Sequence, residues 1–211
     1  ATHRMVETSP EVRRAFPALA KAFGHIGNVR VRQTASVGGN LAHADYRLDP
    51  PPALLVLNAE INAFGPNGSR TIPIQNFFQG MYETALAPSE ILTDVKIPFM
   101  PAAGRAVYLR YTALSANDWP CLGVAAFLAR QNGRCKELRV APGGVAPTPL
   151  SIGALEFARD QLVDDVVERV LASVDAQISP FSDLRGSEWY KRRMAGVFVR
   201  KALDQLRHSA A

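Results

Sequence analysis

The stretch from Gln33 to Asp49, Gln-Thr-Ala-Ser-Val-Gly-Gly-Asn-Leu-Ala-His-Ala-Asp-Tyr-Arg-Leu-Asp, runs directly into Pro50-Pro51-Pro52 and the apolar run Ala53 to Leu57. No other part of the chain limits its possible folds as much. Small residues at Ala35, Ser36, Gly38, Gly39, Ala42 and Ala44 strip bulk from the backbone, so a flat or phosphorylated ligand has access to main-chain N–H groups. Taken alone, a Gly-Gly pair after a short β-branched run also reads as a bulge or tight turn. The segment Pro52 to Leu57 fits a helix or a buried strand equally well by periodicity.

Before this stretch, Ser9-Pro10-Glu11 reads as an N-cap with proline in the first turn of a helix through Arg14. Pro17 restarts a helical piece over Ala18 to Phe23, closed by Gly24 and Gly27. Val29-Arg30-Val31-Arg32 alternates like a strand. After the stretch, Glu60 to Phe64 and Arg70 to Ile74 flank the turn signal Gly65-Pro66-Asn67-Gly68 and predict a hairpin. Phe77 to Thr84 is a compact aromatic patch, and Ile91 to Ile97 alternates again. Pro98 and Pro101-Ala102-Ala103-Gly104 mark a domain boundary. Beyond it, Arg105 to Ala113, Gly123 to Arg130 and Glu137 to Val140 read as strands, the last two joined by a turn at Gly133. Helical spacing follows over Ser151 to Gln161, Asp164 to Val174 and Ser187 to His208. In the last helix Trp189, Met194, Val197, Phe198, Ala202 and Leu206 are expected on one face, with Lys191, Arg192, Arg200 and Arg207 on others. Strands followed by helices imply an α+β lobe.

Composition narrows the function classes. A chain of 211 residues with 47% hydrophobic and 20% charged content has the makeup of a soluble globular protein with one large or two small domains. No apolar run approaches the roughly 20 residues that span a bilayer, and no secretory leader pattern opens the chain, so a cytoplasmic location is expected. Two cysteines, Cys121 and Cys135, cannot form a disulfide framework or supply four ligands to an iron–sulfur cluster; their apolar surroundings suggest buried thiols. The net charge of +5 concentrates in short runs, above all Lys191-Arg192-Arg193, without the aromatic-interleaved strand of RNA-binding modules. A solvated helix face, an anionic cofactor or an acidic partner accounts for it better than nucleic acid. No Ser–His–Asp, His-x-x-x-His or Cys-x-x-Cys pattern supports a hydrolase or a metalloenzyme.

Four motifs occur in order: Ser36-Val37-Gly38-Gly39-Asn40 with Asp49; Tyr82-Glu83-Thr84-Ala85-Leu86-Ala87-Pro88-Ser89-Glu90-Ile91-Leu92; Gly143-Gly144-Val145-Ala146-Pro147-Thr148-Pro149; and Ser182-Asp183-Leu184-Arg185-Gly186-Ser187-Glu188-Trp189-Tyr190. In this order the sequence closely resembles the FAD-binding medium subunit of the molybdenum hydroxylases, the group containing aerobic carbon monoxide dehydrogenase and xanthine dehydrogenase. The resemblance covers nearly the whole chain. It implies an α+β fold: residues 1–100 as the second lobe of a two-lobed FAD-binding domain, and residues 104–211 as a small domain with a three-stranded antiparallel sheet and helices. The family's leading lobe, with its separate glycine-rich pyrophosphate loop, has no counterpart in this sequence, so a fragment or a split subunit is expected.

The resemblance also implies roles for single residues. Ser36, Val37, Gly38, Gly39 and Asn40 match the family's second FAD-contacting loop, and Asp49 its acidic contact to the ribityl chain, a carboxylate being an acceptor for hydroxyl donors. Read without the family, Asp49 is a turn residue before Pro50. Ile26 and Leu92 fall where the family sets apolar side chains against the cofactor, and Arg110 stands where relatives have a lysine near the flavin. His43 is placed to hydrogen-bond near the flavin and Tyr46 to stack on it. Asn117-Asp118-Trp119-Pro120 matches a segment that shades the flavin, or else a surface loop. The implied function is an electron-transfer subunit that holds FAD, with molybdopterin on a large partner subunit and [2Fe-2S] clusters on a small one, in a dimer of heterotrimers. The acceptor is NAD, a quinone or oxygen. The sequence departs from the 4-hydroxybenzoyl-CoA reductase branch in lacking a cysteine-bearing insertion. Two alternatives stand: a non-catalytic docking subunit, and an independent flavoenzyme of the vanillyl-alcohol-oxidase-like fold.

Overall fold

The computed structural model describes residues 1–131, 134–153 and 164–208. Six short helices come first: α1 (His3–Thr8), α2 (Pro10–Ala15), α3 (Pro17–Gly24), α4 (Val29–Thr34), α5 (Val37–His43) and α6 (Pro50–Val56). Their starts follow from the sequence. The Ser9 hydroxyl accepts the Val12 N–H at 3.2 Å ahead of Pro10, and Pro17 opens α3. In α6, Pro50 occupies the first turn, where an N–H would have no partner within the helix, and every residue of α6 is buried.

The strand expected over Val29 to Arg32 is instead α4. The Asn28 side-chain oxygen accepts the N–H groups of Arg30 at 2.9 Å and Val31 at 3.2 Å, and this cap outweighs the β preference of two valines.

The hairpin forms as expected from β1 (Glu60–Gly65) and β2 (Gly68–Pro73). After a single 3-10 turn, β3 (Phe78–Gly80) and β4 (Glu83–Thr84) make a small ribbon, and β5 (Ile91–Lys96) pairs with β1 to give the order β2-β1-β5. The second sheet is antiparallel: β6 (Gly104–Tyr111), β7 (Leu122–Gln131) and β8 (Arg134–Gly143), joined by β9 (Ile152–Gly153). The short β9 makes this sheet four-stranded and replaces the start of the helix expected from Ser151. The remainder of that helix, residues 154–161, and the turn at Gly133 lie outside the described residues. The chain then forms α7 (Asp164–Gln177) and α8 (Glu188–His208).

Strand β7 is the shared wall of two cores. Alternate side chains of a strand point to opposite faces. Leu122, Val124, Ala126 and Leu128 pack with Val167, Val170, Val199 and Leu203 of the two long helices. Ala125, Phe127 and Ala129 pack with Leu54, Phe23 and Ile61 on the other side. Two glycines in register, Gly123 on β7 and Gly143 on β8, leave a shallow spot on the second face. A Cβ at Gly123 would lie 2.5 Å from the Tyr108 hydroxyl, and one at Gly143 would lie 2.7 Å from Pro52 Cγ. That spot seats the start of α6 and the side chain of Tyr108.

Helix α8 buries a stripe shifted from the expected one. Ala195, Val199, Ala202, Leu203 and Leu206 are inside, while Trp189 is 68% exposed. Lys191, expected on a solvated face, is buried. Its ammonium pairs with Asp183 Oδ2 at 2.8 Å and donates to the Phe181 carbonyl at 3.0 Å. The Tyr46 hydroxyl donates to the same Asp183 oxygen at 2.9 Å, and the Tyr46 ring lies 4.7 Å from that of Phe181. Tyr46 therefore joins the N-terminal segment to the base of α8 and is not free to stack on a ligand. Cys121 and Cys135 are buried free thiols, as expected, and burial raises both pKa values, that of Cys135 to about 11.

Because Tyr108 is enclosed, it cannot retreat from a new methyl group. Gly123→Ala is expected to lower stability by about 1–3 kcal/mol by overpacking. Gly153→Ala, whose Cβ meets nothing within 4 Å, should stay within about 0.5 kcal/mol of the parent. Urea denaturation of both variants checks the contrast.

Candidate functional site

Helix α5 begins at the glycine pair, so Ser36 to Asn40 is a capped helix start and not an open loop. The Ser36 hydroxyl accepts the Gly39 N–H at 3.0 Å, the Val37 N–H donates to the Ala1 carbonyl at 3.0 Å, and the Asn40 N–H donates to the Ser36 carbonyl. Three amides of this run are thus committed within the protein. The open backbone lies at Gly38, where a Cβ would stand 3.6 Å from Leu92.

Two cavities adjoin α5. The first, about 460 Å³, is mostly apolar, with Val6, Leu19, Phe23, Val37 and Leu92 in its wall; Ser36 and Gly38 reach it as well. The second, about 260 Å³, brings Ile26 and Asn40 together with Leu48, Asp49 and Arg110, and is closed on one side by Asn117, Asp118, Trp119 and Pro120. The structure therefore divides the predicted residues. Ser36, Val37, Gly38 and Leu92 line one cavity, and Ile26, Asn40, Asp49 and Arg110 line the other. Gly39 lines neither, because its position supports the cap. His43 is exposed at the end of α5, its ring 5.3 Å from that of Tyr82, and lines neither cavity.

The second cavity has a charged floor. The Tyr108 hydroxyl donates to Asp49 Oδ1 at 2.6 Å, and Arg110 Nε lies 3.0 Å from the same oxygen, with 4–5% of either charged side chain exposed. The Nε–H does not point along that contact, which makes it an ion pair without a linear hydrogen bond. Burial is the largest influence on Asp49 and raises its pKa from 3.8 to about 6, against the lowering effects of Arg110 and Tyr108. His25 lies beside this group, its ring 6.1 Å from Tyr108. Burial first, then the charges of Arg110, Lys21 and Arg32, lower its pKa to about 4, so it is neutral near pH 7.

Sequence reasoning missed Tyr108. Its signal was present, since Tyr108 and Arg110 are two apart on a strand and so share a face. What the sequence does not contain is that this face meets Asp49. Also missed was Arg47, whose guanidinium takes both oxygens of buried Asp45, at 2.9 and 2.7 Å, and lies 5.0 Å from the Trp119 ring.

An FAD-type ligand fits these residues on one direct observation. The Asn40 side-chain oxygen is buried without a hydrogen-bond partner among the described residues, at a cavity that also presents a carboxylate. One unpaired acceptor beside a carboxylate in a partly apolar cavity suits a ligand with a flat ring and hydroxyl donors.

Residues 1–100 match the family described as the FAD binding domain in molybdopterin dehydrogenase, and residues 107–206 the CO dehydrogenase flavoprotein C-terminal domain. The carbon monoxide dehydrogenase medium chain of Hydrogenophaga pseudoflava is 33% identical over 202 residues, covering 93% of this chain and 69% of that one. The glyceraldehyde dehydrogenase medium chain of Sulfolobus acidocaldarius is 30% identical, covering 92% of this chain and 69% of that one. Among solved structures, the Hydrogenophaga carbon monoxide dehydrogenase lacking the Mo-pyranopterin moiety of its molybdenum cofactor superposes with a TM-score of 0.92 at 30% identity, over 97% of this chain and 71% of that chain.

The raised pKa of Asp49 has a definite sign for stability. A proton binds this carboxyl more tightly in the folded than in the unfolded state, so its contribution is full below the ordinary carboxylate pKa and is lost as pH rises through about 6. Carboxyl-carbon NMR is expected to give Asp49 a midpoint at about 6. A midpoint at the ordinary value of about 3.9 would contradict the dominance of burial.

Proposed function

The chain belongs to the family of FAD-binding medium subunits of molybdenum hydroxylase-type complexes, and from that premise we propose that it serves as an electron-transfer subunit. When bound, FAD supplies the two-electron redox chemistry that links iron–sulfur clusters of a small partner subunit to an external acceptor, while a molybdopterin-bearing large subunit oxidises the substrate. The observation that carries this reading is the unpaired, buried Asn40 oxygen beside the Asp49 carboxylate. In this reading Asn40 and Asp49 accept hydrogen bonds from ribityl hydroxyls, and Ile26 and Leu92 supply apolar walls. Gly38 allows close approach at the α5 start. Gly39 acts one step back by leaving room for the Ser36 cap. Tyr108 fixes the orientation of the Asp49 carboxylate through its short hydrogen bond. Arg110 balances the Asp49 charge at the oxygen that Tyr108 also holds. His25, neutral at pH 7, adds no charge to the site.

Among the described residues no helix is long and apolar enough to cross a membrane. A dimer of heterotrimers and a cytoplasmic location belong to the same proposal.

Two substitutions test it. Asn40→Ala removes one acceptor from the ligand and should weaken FAD binding by about tenfold, the equivalent of one hydrogen bond. Gly39→Val places a branched side chain against Ser36 Oγ, 3.1 Å from the Cβ position, and should abolish FAD retention while the β7 core stays folded. Flavin fluorescence titration and circular dichroism measure the two effects. Unchanged FAD affinity in both folded variants would remove α5 from the site.

A further inference from the structure

Residues 112–120 form a strap that joins β6 to β7 and closes one side of the second cavity. The strap holds itself together weakly, through the Asp118 N–H to the Ser115 carbonyl at 3.2 Å and the Trp119 N–H to Asp118 Oδ1 at 2.8 Å. Its position depends on three arginines from outside it. Arg185 holds Asp118 Oδ1 at 2.7 Å, and Arg47 lies against the Trp119 ring. Arg110 does the most, donating to the Ala116 carbonyl at 2.8 Å and to the Asp118 carbonyl as well. The same guanidinium is the counter-charge of Asp49. One buried group thus grips the floor of the cavity and its closure together.

We propose that Arg110 is a latch coupling the strap to Asp49, so that removing the Asp49 charge frees the strap and opens the cavity. The physical reason lies in the surroundings of the guanidinium. Arg110 is nearly fully enclosed, and a buried cation is stable only while its counter-charge stays in place. Tyr108 donates to Asp49 but carries no charge, so it cannot substitute as a partner for Arg110. The other carboxylate that feels the Arg110 charge, Asp118, is part of the strap and is already paired with Arg185. With Asp49 neutral, the guanidinium has no free counter-charge inside the protein, so it leaves the cavity floor for solvent and releases the two strap carbonyls. Every group in the latch belongs to this chain, so the inference does not rest on which ligand fills the cavity.

The test compares amide hydrogen exchange at Asp118 and Trp119 with exchange along β7 in the same sample, which removes any general loosening. Three variants are measured without ligand. Asp49→Asn removes the charge. Arg110→Lys keeps a cation opposite Asp49, but a single ammonium replaces the planar fork that reaches two carbonyls. Tyr108→Phe removes the other partner of Asp49 and, with exchange measured well above pH 6 so that the carboxyl stays ionised, leaves the ion pair. Strap exchange relative to β7 should rise about tenfold or more in the first two and stay at the parent level in the third. In a Trp189→Phe background, acrylamide quenching of Trp119 should rise with the exchange rate. If Asp49→Asn does not fold, Asp49→Ser takes its place. Unchanged strap exchange in Arg110→Lys overturns the latch, and unchanged exchange in the Asp49 variant overturns its coupling to the carboxylate.

Discussion

The structure depends on β7 being buried on both faces. A strand covered on one side tolerates polar residues on the other, but β7 has none between Leu122 and Ala129 because each face completes a separate core. Its large residues mostly face the two long helices. The opposite face carries Gly123, Ala125, Phe127 and Ala129, which lets α6 and the Tyr108 ring approach the sheet closely. Asp49 immediately precedes α6, so the fit of that helix against β7 and β8 also sets where the carboxylate lies. The charged floor of the cavity is therefore a product of packing several residues away.

Much of this was legible in the sequence, for identifiable reasons. The hairpin of β1 and β2 carried its alternation and its turn on the surface of the sequence, and α8 had a long run of apolar residues at helical spacing. Helix α4 was illegible because its two valines suggested a strand while the deciding residue, Asn28, lies outside the alternating run. Lys191 was misplaced because periodicity places a lysine by its charge. Only the folded chain brings Asp183 and the Phe181 carbonyl to the ammonium. Within the site, Asp49, Arg110, Asn40 and Ile26 were named and do meet in one cavity. The sequence did not contain the orientation of Arg110 toward a strap that follows it in the chain.

The charges show a related pattern. The excess of basic residues suggested a free cationic face on α8, yet Arg192, Arg200 and Arg207 each pair with an acid of α7: Asp175, Glu168 and Asp164. These partners are well exposed, so each pair adds little stability, but together they neutralise the face and align the two helices. Around the cavity, Arg47, Arg110 and Arg185 are paired with Asp45, Asp49 and Asp118. A basic chain has used much of its charge internally.

The paired glycines at 123 and 143 carry a consequence for how this protein can change over evolutionary time. A side chain at either would overpack against Tyr108 or Pro52 as they stand, so each glycine is coupled to the residue it faces. A lineage that replaces Tyr108 with a smaller residue loses the hydroxyl on Asp49, and at the same step becomes permissive for alanine at 123. Once that alanine is fixed, the tyrosine cannot return without displacing it. The shallow spot on the sheet is thus an evolutionary ratchet, and the orientation of a buried carboxylate is inherited through two residues that have no side chain.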